Sequence, residues 1–225
     1  MGIEAVIFDW GGTLTPWHTI DHEVLWQNVC APHFRSDHRD RAAAILAAEL
    51  DAWERARTEL RSSTLCAVLD LAAIEPPDGL LAAYRREFEE HTITDPAAAG
   101  VFGELRAREI KIGVLSNTLW PRTWHEDVFR RDGVLDLIDA AVYSSEIPWV
   151  KPHAGAFRSA MSAVGVSDPS RCVFVGDRPW DDVSGANAVG MRTVLVPHSE
   201  VPAFAVTPDA VITDLAELPG VIEAW

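Results

Sequence analysis

Six short apolar runs, spaced along 225 residues and showing no alternation of polar with apolar positions, constrain this chain more than any other feature. They are 3–8 (IEAVIF), 110–115 (IKIGVL), 140–143 (AAVY), 172–175 (CVFV), 193–196 (TVLV) and 210–212 (AVI). A strand with one face in water alternates, whereas a run without polar positions suits a strand covered on both faces, as in a parallel sheet. Helical patterns lie between the runs. Asp95 and Pro96 form an N-cap and first-position pair ahead of 96–109. The patterns at 153–164 and 182–189 are each followed by a glycine, Gly165 or Gly190, suited to the left-handed residue that ends a helix. The alternation predicts an α/β fold with a doubly wound, Rossmann-like parallel sheet.

One segment departs from it. From 16 to 95 there is no strand-like run, and stretches such as RAAAILAAELDAWERARTELRSSTLCAVLDLAAI are built from strong helix formers. The expectation is a core domain of 1–15 and 96–225, with a helical cap subdomain, 16–95, inserted after the first strand. A chain of this length buries a core large enough to need no staples. Cys30, Cys66 and Cys172 are scattered and show no metal-site spacing, so they read as buried small apolar side chains in a reducing compartment. No charged leader precedes an apolar stretch at the start and no 18-residue apolar run occurs, which predicts a cytoplasmic protein without membrane contact. A formal net charge of -15 repels nucleic acid and anionic lipid, leaving a small molecule as the expected partner. Monomer and homodimer are both compatible with the sequence.

Ligands of open parallel sheets bind outside the carboxyl ends of the strands. At those ends the chain places Asp9 after IEAVIF, Ser116 and Asn117 after IKIGVL, and Asp177 after CVFVG. Two carboxylates on one edge, without a neighbouring base in sequence, repel each other unless a divalent cation lies between them; oxygen donors without a thiolate or histidine cluster point to Mg2+. The same residue types also serve as turn formers and helix caps.

With these residues in order, the chain resembles the haloacid dehalogenase superfamily of hydrolases, in particular members with a helical cap after the first strand. FDWGGT (8–13), LSNT (115–118), VKP (150–152) and VGDRPWDD (175–182) carry the resemblance over nearly the whole chain. It implies a phosphatase acting on a small phosphorylated metabolite, with Asp9 as nucleophile through an aspartyl-phosphate. It further implies Asp9, the Gly11 carbonyl, Asp177 and Asp181 as metal ligands. Ser116 and Asn117 would hold phosphate oxygens, Lys151 would neutralise charge, and Gly12 would let backbone amides approach the anion. Of Asp181 and Asp182, one is expected to serve only as a partner of the helix dipole. Lys151 is one of only two lysines in the chain, and a compact ammonium suits that role.

One departure matters. Family phosphatases carry a second aspartate two residues after the nucleophile as general acid and base, and here that position is Gly11. A positioned proton donor contributes about 10² to 10⁴ in rate. Either the leaving group departs unprotonated or another group substitutes, with His18, Asp21 and His22 nearby in sequence; the same three residues also fit a solvated, helix-capping hinge. Phosphonoacetaldehyde hydrolases share a similar first motif but use a cap lysine, and 16–95 contains none. Two alternatives stand beside the phosphatase: a 2-haloacid dehalogenase-like hydrolase, and a phosphate-binding or regulatory protein of weak activity. Trp10, Trp17, Trp120, Trp149 and Trp180 lie near the motifs and serve either to close the junction of core and cap or to stack on substrate; strand alternation points the Trp10 side chain away from that of Asp9.

Overall fold

In the computed structural model, which describes residues 2–198 and 200–225, all six runs form strands of one parallel sheet. They are β1 (Ala5–Phe8), β2 (Lys111–Ser116), β3 (Ala140–Tyr143), β4 (Cys172–Gly176), β5 (Arg192–Leu195) and the two-residue β6 (Ala210–Val211). The order across the sheet is β3-β2-β1-β4-β5-β6, so the winding reverses at β1 and opens a crevice at the carboxyl ends of β1 and β4. Register fixes which residues share that edge. Phe8 stands level with Val114 on one side and Val175 on the other, which brings Asp9, Ser116 and Asp177 to the same end.

Side chains of β1 alternate between two cores. Val6 and Phe8 pack with α5 (Ala98–Ala107), α6 (Arg122–Arg131) and α9 (Leu218–Glu223), where Phe102 lies 5.2 Å from Phe8. Ala5 and Ile7 pack with Phe157 and Met161 of α7 (Ala154–Ala163) and Ala186 of α8 (Gly185–Val189). Burying side chains of this size is worth about 1.5–3 kcal/mol each. The helix expected over 182–189 begins only at Gly185; a wide π turn, Pro179–Ser184, precedes it.

The strand-free stretch folds as α1 (His22–Cys30), α2 (His38–Glu59), α3 (Leu65–Leu71) and α4 (Leu80–Glu87). Asp21 caps α1 by accepting from the amides of Glu23 and Val24, and Leu60 ends α2 in a left-handed conformation. These helices share a third core, containing Trp26, Ile45, Leu69 and Tyr84, into which Leu119 and Trp120 reach from beyond β2. The chain leaves the sheet and returns at one place, where the Asp95 amide donates to the Leu14 carbonyl at 2.8 Å. No described helix is long and apolar enough to cross a membrane. Cys30 and Cys172 are buried, whereas Cys66 is exposed, contrary to the expectation of three buried cysteines: it lies on the solvent side of short α3.

Candidate active site

The ladder between β1 and β4 continues one step beyond the strands, with the Asp9 amide donating to the Val175 carbonyl at 2.8 Å. This fixes the Asp9 backbone, and the chain then turns at once: the amides of Leu14 and Thr15 both donate to the Trp10 carbonyl. Gly12 takes φ +84 in that turn. A Cβ there would lie 2.8 Å from Asp177 Oδ2, so glycine is required both by the conformation and by the approach of the carboxylate.

Lys151 closes the site from a different loop. Its Nζ donates to Asp9 Oδ1 at 2.5 Å and to Asp182 Oδ1 at 2.6 Å, and all three side chains are buried. Asp182 is fixed at its other oxygen by the Arg178 amide at 2.9 Å. The π turn delivers it there, for the Val183 amide reaches back five residues to the Arg178 carbonyl and the widened turn brings Asp182 under the sheet edge. A Cβ on Gly176 would overlap this carboxylate, so that position also needs glycine.

Asp9, Asp177 and Asp182 each offer an oxygen within 4.8 Å of the others. Asp177 is fully buried, and neither of its oxygens has a hydrogen-bond partner among the described residues. A buried carboxylate left bare is costly, and three clustered carboxylates against one ammonium carry a formal excess of negative charge. Burial, and then the charges of Asp9 and Asp182, push the Asp177 carboxyl up to about 9. Asp182 is raised to about 6, again by burial first, with Lys151 opposing. Burial alone would lower the Lys151 ammonium, but Asp182 and Asp9 reverse this and hold it above its ordinary value. The donor set, all oxygen and short of positive charge, fits a hard divalent cation.

The structure brings together Asp9, Lys151 and Asp177 from the expected set, but it draws in Asp182 where Asp181 was expected. Asp181 lies outside the three-carboxylate group, with Oδ2 3.9 Å from the Arg178 guanidinium and its carboxyl raised by burial. The Arg178 amide holds the second of these adjacent carboxylates against Lys151, while the first stays near enough for the Lys151 and Asp9 charges to act on it. Asn117 holds the Lys151 backbone: its carbonyl accepts from the Lys151 amide at 2.8 Å and its amide donates to the Lys151 carbonyl at 3.0 Å. Ser116 is buried at the end of β2, while Gly11 is exposed, with open space where a Cβ would stand.

The tryptophans divide. Trp120 is buried between α4 and α6, 5.2 Å from Phe88 and 5.5 Å from Trp124. Trp149 and Trp180 stay exposed, stacked on His153 and packed edge-on against Phe204 respectively. Trp17 stacks on His198, whose Nε2 lies 2.6 Å from the Gly12 carbonyl.

A family model for haloacid dehalogenase-like hydrolases matches residues 3–190. The chain belongs to that family. A glyceraldehyde 3-phosphate phosphatase of Methanothermobacter thermautotrophicus is 28% identical over 136 residues, a match covering 56% of this chain and 58% of the relative. The curated relative is therefore spanned over little more than half its length. Two solved structures share the fold of this haloacid dehalogenase-like chain almost from end to end. A phosphatase of the family from Thermococcus onnurineus superposes with a TM-score of 0.72 at 21% identity, covering 98% of both chains. The L-2-haloacid dehalogenase of Xanthobacter autotrophicus gives 0.67 at 19%, again with 98% of both chains covered.

Proposed function

We propose that this hydrolase is a magnesium-dependent phosphatase of small phosphorylated metabolites, with Asp9 as nucleophile, 1–15 and 96–225 as catalytic core and 16–95 as a cap. The observation that carries the reading is the pairing of Asp9 with a buried lysine beside Asp177, a carboxylate with no partner of its own. Asp9, the Gly11 carbonyl, Asp177 and Asp182 would hold Mg2+, which when bound supplies positive charge to the phosphoryl oxygens. Lys151 places a second positive charge directly beside the buried Asp9 carboxylate. Asn117 acts through Lys151, holding its backbone so that the ammonium meets both carboxylates. The Ser116 hydroxyl and the amides of the Gly11–Gly12 turn face the same edge and donate to the substrate anion. Asp9 attacks phosphorus, the new carboxylate–phosphorus bond forms as the bond to the leaving oxygen breaks, and water then releases inorganic phosphate and free Asp9.

Position 11 supplies no proton, although the space there is open. Substrates with stable leaving groups, such as acyl, aryl and anomeric phosphates, are therefore expected to turn over faster than simple alkyl phosphates. The test is phosphate release from such a panel with and without Mg2+, with Asp9→Asn as control. Metal-dependent release lost in Asp9→Asn supports the reading. No Asp9-dependent release overturns it, and halide release from 2-haloacids or phosphate binding without turnover then becomes the assignment. The dehalogenase reading draws its support from the missing acid at Gly11.

A further inference from the structure

A cavity of about 130 Å³ lies between the inserted helices and the sheet edge. Trp10, Trp53, Tyr84, Phe88 and Trp120 wall it, and it meets the catalytic edge at Asn117, which grips Lys151. Among these rings sits one carboxylate. Glu49, from the middle of α2, is 1% exposed, and its Oε2 accepts both from Trp26 Nε1 at 2.8 Å and, in the ionised pair, from His22 Nδ1 at 3.0 Å. Its Oε1 accepts no hydrogen bond among the described residues. An acid in so apolar a place is expensive unless it is fully paired, and Glu49 lines the cavity with its hydrogen bonds confined to Oε2, so that acceptor capacity is left to spare. The hydrogen bond that His22 donates to Glu49 raises the histidine pKa against the opposing effect of burial, so a half-exposed histidine balances the acid on one side only.

We propose that this cavity is the compartment for the leaving group, and that it selects a single ring or similar apolar body bearing a hydrogen-bond donor, which Glu49 Oε1 accepts. The inference rests on the phosphatase reading and names its substrate class. An apolar cavity of about 150 Å³ is known to take benzene, so the volume suits one ring, and the aromatic walls suit stacking. Among the described residues, no lysine or arginine lines the cavity. A leaving group with a second anion would meet the Glu49 carboxylate and negative ring faces, with His22 as the one group able to oppose them.

Three phosphate esters and acetyl phosphate test this: 4-aminophenyl, phenyl and 4-carboxyphenyl phosphate. The carboxyphenolate is a more stable leaving group than the aminophenolate, so chemistry alone favours the carboxy ester. The cavity reverses that order, with kcat/KM for the amino ester at least about tenfold above the carboxy ester, chiefly through KM. Glu49→Gln brings the two within about threefold of each other, and Trp53→Ala, at a partly exposed position that folding tolerates, raises KM for every ring ester. Turnover of acetyl phosphate by the wild type with no such preference among the rings overturns the inference and leaves the phosphatase reading intact. If no phosphate is turned over, quenching of tryptophan fluorescence in the wild type by aniline against benzoate still reads the cavity. Preferential binding of aniline supports it; equal binding, or none, overturns it.

Discussion

Replacing Asp177 by asparagine keeps the shape of the most strained group in the site and removes its charge. With no divalent cation at pH 7, the Asp177 carboxyl is held protonated, because burial and the neighbouring carboxylates raise it to about 9 from an ordinary 3.8. The unfolded chain carries the same group ionised. Folding at pH 7 therefore takes up a proton, across roughly three pH units at 1.36 kcal/mol each, a ceiling of about 4 kcal/mol. The sign follows from the raised folded value: stability is full below the unfolded value and falls as pH rises from about 4 towards 9. Asparagine has no such dependence, so in EDTA at pH 7 the variant is the more stable protein, and the gap closes near pH 4. Added Mg2+ narrows that gap. A cation at 100 times its dissociation constant stabilises the folded wild type by about 2.7 kcal/mol, or roughly 5–10 °C in Tm for a chain of this size, whereas Asp177→Asn loses most of that shift. Thermal melts of both proteins across pH, in EDTA and in Mg2+, measure each quantity. A wild type at least as stable as the variant in EDTA at pH 7, or equal Mg2+ shifts, would refute the account of a carboxylate held ready for a cation.

Asn117→Ala removes both hydrogen bonds on the Lys151 backbone; kcat is expected to fall about 10- to 100-fold with little change in KM, as steady-state kinetics would show. Gly12→Ala places a Cβ against Asp177 in a left-handed backbone, costing about 1–2 kcal/mol for the conformation alone. It also shrinks the Mg2+-induced rise in Tm, which an unchanged melt would contradict. Burial lowers His125 to about 3, so below pH 6.5 the unfolded chain gains a proton that the folded one refuses, and stability falls by about 1.4 kcal/mol per unit, near 2 kcal/mol by pH 5. Urea unfolding at pH 7 and pH 5 should show that difference shrinking by this amount in His125→Leu, whatever its absolute stability.

Every strand of the sheet stands where a mainly apolar run marks it, because the central strands are covered on both faces; at the edge, β6 leaves Val211 exposed. Asp9 and Asp177 were legible for the same reason: each is the first charged residue after such a run, and strand register puts run ends together. The helix Arg122–Arg131 left little trace, since its sequence, RTWHEDVFRR, is mostly charged and buries only His125, Val128 and Phe129. The choice between Asp181 and Asp182 depends on a π turn, whose extra residue rotates the face presented to the site and has no signature in residue type. Asn117 was readable as polar and site-adjacent, but not as the residue that grips the Lys151 backbone, because that contact joins two loops across the sheet edge. Glu49 lay hidden in a long helix rich in exposed acids; only the packing of α1 and α4 around it sets it apart.

The hydrogen bond from the Asp95 amide to the Leu14 carbonyl makes the two ends of the helical insertion neighbours. To the sheet, everything between these residues is one loop closed at its base, and closing a longer or shorter loop changes the entropy only logarithmically. Changes of length within that loop thus have little effect on strand register, provided its ends still meet and its core still receives Leu119 and Trp120. Seen this way, the helical stretch is joined to the sheet at its base by one backbone hydrogen bond and along its side by the packing of Leu119 and Trp120 into its core.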